Sequence, residues 1–281
     1  MDICCTSSDC QEFAKIPQDL TLKRYNIAKF CNEKNNFSNI LSSDESRVIL
    51  SDDTYINANF IFDQYIATQQ PNVNTIDDFW QMVYETNSHL VINLCGDNNY
   101  LPEKSNIYRT IKLTIINNVD KENIQLRKIE LSNNLKSKTV YHITFKKWKD
   151  FDIPTEKDMD RLLSLVEILD NDTITDCRMI IHCKAGVGRT GTFIMIHHIL
   201  KKIKGGEQID FLEIVKNMRK ARIGMVQTKK QFAFVKLFVN QRYIAKPKSK
   251  LSSSCGVKNY CINSKKQKHN LSYSTEIVSK F

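Results

Sequence analysis

The sequence predicts an α/β domain, and three observations carry that prediction. A β-branched apolar run at 179–181 leads, ten residues on, into a second apolar run at 192–200, the pattern of a buried strand feeding a helix. Shorter apolar runs at 89–94 and 139–145 read as two more strands. The C-terminal third carries apolar residues at helical spacing. Interleaved strands followed by helices give the α/β class.

Taken in order, the pattern predicts a helix over 77–86, a strand over 89–94 and a strand over 139–145. A helix over 156–169 puts Met159, Leu162, Leu163, Val166 and Leu169 on one apolar face. The strand 178–183 follows, then helices over 191–204, 211–220 and 228–242. There is no internal repeat and no sign of a second domain.

The chemistry is concentrated in His182, Cys183, Lys184, Ala185, Gly186, Val187, Gly188, Arg189, Thr190 and Gly191. A cysteine, five residues containing two glycines, then an arginine forms a loop whose free backbone N–H groups and following helix N-terminus face a common cup. Gly186, Gly188 and Gly191 are expected to supply the unusual backbone angles of such a cradle. A thiol of ordinary pKa about 8.5 falls to roughly 3.5–7.5 at a helix N-terminus beside a cation, so Cys183 is expected to be a thiolate nucleophile. Arg189 offers a planar fork for two phosphate oxygens. Thr190 is placed to donate its hydroxyl to the sulfur, and His182 to order the loop. The pattern should arise by chance in fewer than ~1 in 10,000 chains of this length.

Charge and cysteine content bound the setting. The chain has 281 residues, a formal net charge of +10 and nine cysteines. Residues 245–281 hold eight lysines against one glutamate, a net +7, which leaves +3 for residues 1–244. That segment is rich in Ser and Asn and is expected to be a disordered basic tail, open equally to an anionic membrane surface or acidic partner and to being a solvated extension with no partner; nucleic acid is not expected. Residues 1–11 are expected to be flexible and residues 12–244 to form the catalytic domain. No run of 18 apolar residues, no secretory leader and no glycine at position 2 point to a cytoplasmic, reducing setting. His197 and His198 are helix neighbours that diverge, and neither a metal nor another cofactor is expected.

Beyond this loop the chain resembles the tyrosine-specific protein tyrosine phosphatases. The resemblance runs through 39–48, Tyr55-Ile56-Asn57-Ala58-Asn59-Phe60, Tyr65-Ile66-Ala67-Thr68-Gln69-Gln70-Pro71, and Asp78-Phe79-Trp80-Gln81-Met82-Val83. It continues through Trp148-Lys149-Asp150-Phe151-Asp152-Ile153-Pro154, then Arg219, Arg222, 224–228 and Gln231. It implies a twisted mixed sheet flanked by helices, with the catalytic loop at a strand's C-terminal end. It implies hydrolysis of phosphotyrosine in proteins through a cysteinyl-phosphate. Asp150 would be general acid and then base, with Gln227 orienting water and Phe151 lining the closed pocket. Phe37 would be the aromatic wall, Asn39 a contact to the substrate backbone, and Lys104 and Gln231 would lie at the pocket.

The chain departs from that pattern at four places. Phe37 stands for the usual tyrosine, and Asn39 for an aspartate. Lys149 replaces the proline before the acid, which leaves φ unfixed there and is expected to alter loop closure. Lys184 replaces a serine and resembles the basic loop of the tensin-homology phosphoinositide phosphatases. The glutamate that braces the loop arginine also lacks a counterpart; Asn99 or Glu103 occupies its region. A phosphotyrosine-binding pseudophosphatase and a phosphoinositide phosphatase are the alternative readings. The scattered departures resemble those of bracovirus phosphatases, for which the setting would be host-cell cytoplasm.

Overall fold

The computed structural model describes residues 7–17, 24–171 and 177–244. Nine strands form one sheet: β1 (Arg47–Ile49), β2 (Tyr55–Ile61), β3 (Tyr65–Gln69), β4 (Ser88–Asn93), β5 (Ser105–Tyr108), β6 (Ile111–Lys121), β7 (Ile124–Ser132), β8 (Ser137–Phe145) and β9 (Arg178–Cys183). Their order is β1-β2-β3-β9-β4-β8-β7-β6-β5. The central strands β3, β9, β4 and β8 run parallel, and hairpins add antiparallel strands on both sides. The mixed sheet is thus present, with β9 at its parallel centre.

Helices cover both faces. On one face α3 (Ile76–Glu85) lays Phe79, Trp80, Met82 and Val83 over Ile66, Val91 and Ile180. On the other, α4 (Glu156–Asn171), α5 (Gly188–Lys204), α6 (Phe211–Ala221) and α7 (Lys229–Val239) pack over Ala67, Ile92 and Ile181. Every residue of the predicted α4 stripe is at most 6% exposed. Each such side chain contributes about 1.5–3 kcal/mol by leaving water. Asp210 caps α6 by accepting from Glu213 N at 3.0 Å, and Thr228 and Gln231 form a reciprocal capping box on α7.

Several elements differ from the sequence expectation. The helix expected over 191–204 begins three residues earlier, at Gly188, so Arg189 and Thr190 lie on its first turn. The long β6–β7 hairpin and the shorter β1, β5, α1 (Ser7–Ala14) and α2 (Asn26–Phe30) were not anticipated. The boundary expected between residues 11 and 12 falls inside α1. The basic tail from 245 lies outside the described residues. No helix among the described residues is long and apolar enough to cross a membrane.

Candidate active site

Cys183 ends β9, whose neighbours β3 and β4 both run parallel to it. The loop that follows is held from three sides. Gln70 N donates to Lys184 O at 3.1 Å, joining it to the end of β3. Arg222, fully buried, donates through Nε to Gly186 O at 2.9 Å and through Nη2 to Ala185 O at 3.0 Å. Its other contacts reach β2: Nη1 to Asn59 Oδ1 and Nη2 to Asn57 Oδ1, each 2.7 Å. Burial pulls the Arg222 pKa down to about 10, which still leaves it charged at neutral pH. The third support is the 225–226 segment, where Val226 N donates to Val187 O at 3.1 Å.

The glycines divide into two roles. Only Gly186 among the loop glycines has positive φ, +69°. A Cβ there would stand 2.1 Å from Thr68 O. Gly188 and Gly191 do not take unusual angles, contrary to the sequence expectation, because both lie in α5. Their value is closeness: a Cβ at Gly191 would lie 2.4 Å from Val226 N, and one at Gly188 would lie 3.0 Å from Gln227 Oε1.

Arg189 is 3% exposed, and its Nη1 is spent on main-chain carbonyls, Trp148 O at 2.8 Å and Leu94 O at 3.3 Å. Nε and Nη2 have no aligned acceptor. Asp150 Oδ1 comes to 3.0 Å from Nη2 as an ion pair outside hydrogen-bond alignment. Thr190 Oγ1 is likewise buried without a partner. Three donors without an aligned acceptor thus lie buried on the first turn of α5, the kind of group a tetrahedral oxyanion would satisfy. Apart from Asp150, no carboxylate among the described residues pairs with Arg189; Leu94 and Trp148 carbonyls do the bracing, while Asn99 accepts from Gln70 at 3.4 Å.

The acid loop and α7 meet over this cup. Phe151 takes a left-handed φ of 59°, and its N–H donates to Asp150 Oδ1 at 3.2 Å. Trp148 Nε1 donates to Asp152 O at 2.8 Å. Gln227 N donates to Gln231 Oε1 at 3.0 Å, and both amide side chains lie against Gly188. Arg219 fixes the approach to Gln227 by donating to Met225 O at 2.9 Å and Val226 O at 2.8 Å.

The rim residues are placed less uniformly. Phe37 is 41% exposed, so it is no core residue. Its neighbour Asn36 binds Gln69 Oε1 through N at 2.9 Å and Gln70 O through Nδ2 at 2.7 Å, which sets the turn beside the loop. Asn39, Lys184 and Phe151 are exposed, while Ala185 is half-buried and Val187 fully buried. Lys104 is exposed at the approach to β5 and makes no hydrogen bond or ion pair to the cup.

Behind the nucleophile lies a buried relay that the sequence reading passed over. Tyr100 Oη sits 2.6 Å from His182 Nε2 and 2.7 Å from His142 Nε2. Burial, followed by the Arg189 charge, pushes the His182 pKa down to about 3, and burial pushes His142 well below its usual value. Both rings are neutral at pH 7. A hydroxyl has one proton, so Tyr100 donates to one ring and accepts from the other. Tyr100 lies outside every motif read from the sequence, and only its contacts reveal it; Arg222 belongs to the closing block of the resemblance, and its contacts give it a role.

Comparison with known proteins agrees with this geometry. The family model for the protein-tyrosine phosphatase domain matches residues 31–241. Human receptor-type tyrosine-protein phosphatase R is 33% identical over 248 residues, covering 80% of this chain and 37% of that protein. Receptor-type tyrosine-protein phosphatase eta of Gallus gallus is 34% identical over 224 residues, covering 72% of this chain and 16% of that protein. Mouse tyrosine-protein phosphatase non-receptor type 7 is 31% identical over 246 residues, with coverage of 80% and 68%. The chain thus spans little more than a third of the first of these relatives, 37% of its length, and less of the second. The family match over three quarters of the sequence, on a cysteine loop with this geometry, means that the chain belongs to the protein-tyrosine phosphatase family.

Proposed function

We propose that the protein hydrolyses phosphotyrosine in proteins through a cysteinyl-phosphate intermediate, in a reducing cytoplasmic setting. The observation that carries this reading is the set of donors without an aligned acceptor, Arg189 Nε and Nη2 and Thr190 Oγ1, buried on the first turn of the helix that the Cys183 loop leads into. At the N-terminus of α5, beside the Arg189 charge that draws the phosphate in, Cys183 is the nucleophile. Its sulfur attacks phosphorus as the P–O bond to the tyrosyl oxygen breaks, and Asp150 gives its proton to the departing phenolate. Water oriented by the Gln227 amide then attacks phosphorus, Asp150 accepts a proton, and the P–S bond breaks to release phosphate and the thiolate. Thr190 donates to the sulfur as it leaves. Phe37 offers a stacking wall worth about 1 kcal/mol to the substrate ring.

The test is phosphate release by reduced, purified protein from a phosphotyrosyl peptide and from a phosphoinositide, with Cys183→Ser as blank. Peptide turnover that disappears in the blank is the expected result. Peptide binding without turnover would establish a binding module instead, and lipid turnover lost in Lys184→Ser would establish a phosphoinositide phosphatase.

A further inference from the structure

The acid loop carries a second carboxylate, Asp152, whose contacts reach beyond the loop to α7. Asp152 Oδ1 lies 2.6 Å from Lys230 Nζ. The same oxygen accepts from Ile153 N at 2.9 Å. Its main-chain oxygen accepts from Trp148 Nε1 at 2.8 Å and from Gln231 Nε2 at 3.4 Å. Lys230 and Gln231 lie on the first turn of α7, directly after Gln227. One residue of the acid loop is therefore tied by side chain and main chain to the segment bearing the water-orienting amide.

The loop has reason to need such a tie. Position 149 is a lysine with no ring to fix its φ, and Phe151 occupies the left-handed region at 59°. Within the loop Asp150 accepts from Phe151 N, and beyond it its tie is the Arg189 ion pair, whose guanidinium is required by phosphate. Once substrate takes Arg189 Nη2, the Asp152 contacts, together with the Arg189–Trp148 carbonyl bond, hold the loop down. Lys230 beside it keeps the Asp152 carboxyl below the usual carboxylate range, so the pair remains charged at neutral pH.

We propose that the Asp152–Lys230 pair positions the general acid, fastening the acid loop to the N-terminus of α7 so that Asp150 and Gln227 hold a fixed separation over Cys183. Neither residue touches substrate, so both are positioning residues. The proposal rests on the phosphatase reading and concerns only the steps that need Asp150.

The experiment compares the full-length wild type, Lys230→Ala and the charge-swapped Asp152→Lys/Lys230→Asp pair on two substrates. A phosphotyrosyl peptide has a leaving group that needs a proton; 2,4-dinitrophenyl phosphate has one that leaves without it. Lys230→Ala should lower kcat/KM for the peptide about fivefold, the scale of a half-exposed ion pair. Formation of the intermediate from dinitrophenyl phosphate, read as kcat/KM, and inhibition by inorganic phosphate should stay within about twofold. The swapped pair should recover the peptide activity, and about 0.5 M salt should narrow the gap. Equal losses on both substrates, no loss, or no recovery by the swap would overturn the proposal. If the wild type turns over neither substrate, the phosphatase reading fails on its own. Amide exchange at Phe151–Ile153 then decides the fastening: faster exchange in Lys230→Ala supports it, and unchanged exchange overturns it.

Discussion

Gly186→Ala isolates the closest backbone approach in the catalytic loop. The new Cβ would stand 2.1 Å from Thr68 O and 2.3 Å from Thr68 C, some 1.3 Å short of the 3.4 Å at which ordinary contact begins. Thr68 belongs to β3 and cannot yield, because it pairs with β2 on one side and β9 on the other. The loop must therefore move by about 1 Å, a misplacement that costs on the order of 100-fold in rate. The left-handed φ of +69° adds about 1–2 kcal/mol of strain, and the overlap about 1–3 kcal/mol more. Gly206→Ala supplies the control: φ is +75° there, with nothing within 4 Å of the added carbon. It should lose the strain alone, about 1–2 kcal/mol by urea unfolding, with kcat/KM for a phosphotyrosyl peptide unchanged. Gly186→Ala should lose about 2–5 kcal/mol and at least about 100-fold in kcat/KM. Identical behaviour of the two variants in both assays would refute the close-approach argument.

Asp150→Asn should reduce kcat for the peptide by about 10²–10⁴, with far less effect on dinitrophenyl phosphate; a similar drop on both would remove Asp150 from the proton-transfer role. Lys149→Pro fixes φ ahead of the acid and should change kcat about two- to fivefold through loop closure; identical turnover and pH profile would show that residue 149 does not govern the loop. Acid should destabilise the fold early. His182 and His197 are held near about 3 and about 4 by burial, against 6.5 when exposed, so the unfolded chain binds more protons below pH 6.5. Their stabilisation is complete above pH 6.5 and is lost as pH falls towards 4, each at about 1.4 kcal/mol per pH unit. Urea midpoints that stay flat between pH 7 and pH 5 would contradict it.

The strand–loop–helix unit around Cys183 was legible because all of it is local: an apolar strand, glycines, an arginine and an apolar helix follow one another in the chain. Its finer geometry was not. Glycine at 188 reads as a loop signal by propensity yet is helical, and the closeness of Gln227 to Gly188 and of Val226 to Gly191 comes from distant chain that no local signal announces. Arg222 reads in the sequence as a residue of the resemblance's closing block, with no role attached. Its work depends on Asn57 and Asn59, more than 160 residues away. The β7 alternation changes phase, Ile124 and Leu126 joining one core cluster and Ile129 and Leu131 the other, and the β6–β7 turn uses Glu122 at φ 53° where a glycine or asparagine would have announced it. The missing brace glutamate was legible as an absence; that carbonyls of Leu94 and Trp148 serve instead was not.

The Arg222 bridge sets a schedule on the making of the protein. A nascent chain that has emerged only as far as Lys204 already contains the nucleophile, the arginine fork and the whole sheet. It still lacks the guanidinium that ties Ala185 and Gly186 to β2, and the 225–226 segment against which α5 packs. The cup closes only when the last fifth of the domain arrives. Translation through Arg222 and Val226 is thus the arming step, and a product terminated at Lys204 carries Cys183 without the supports of its loop.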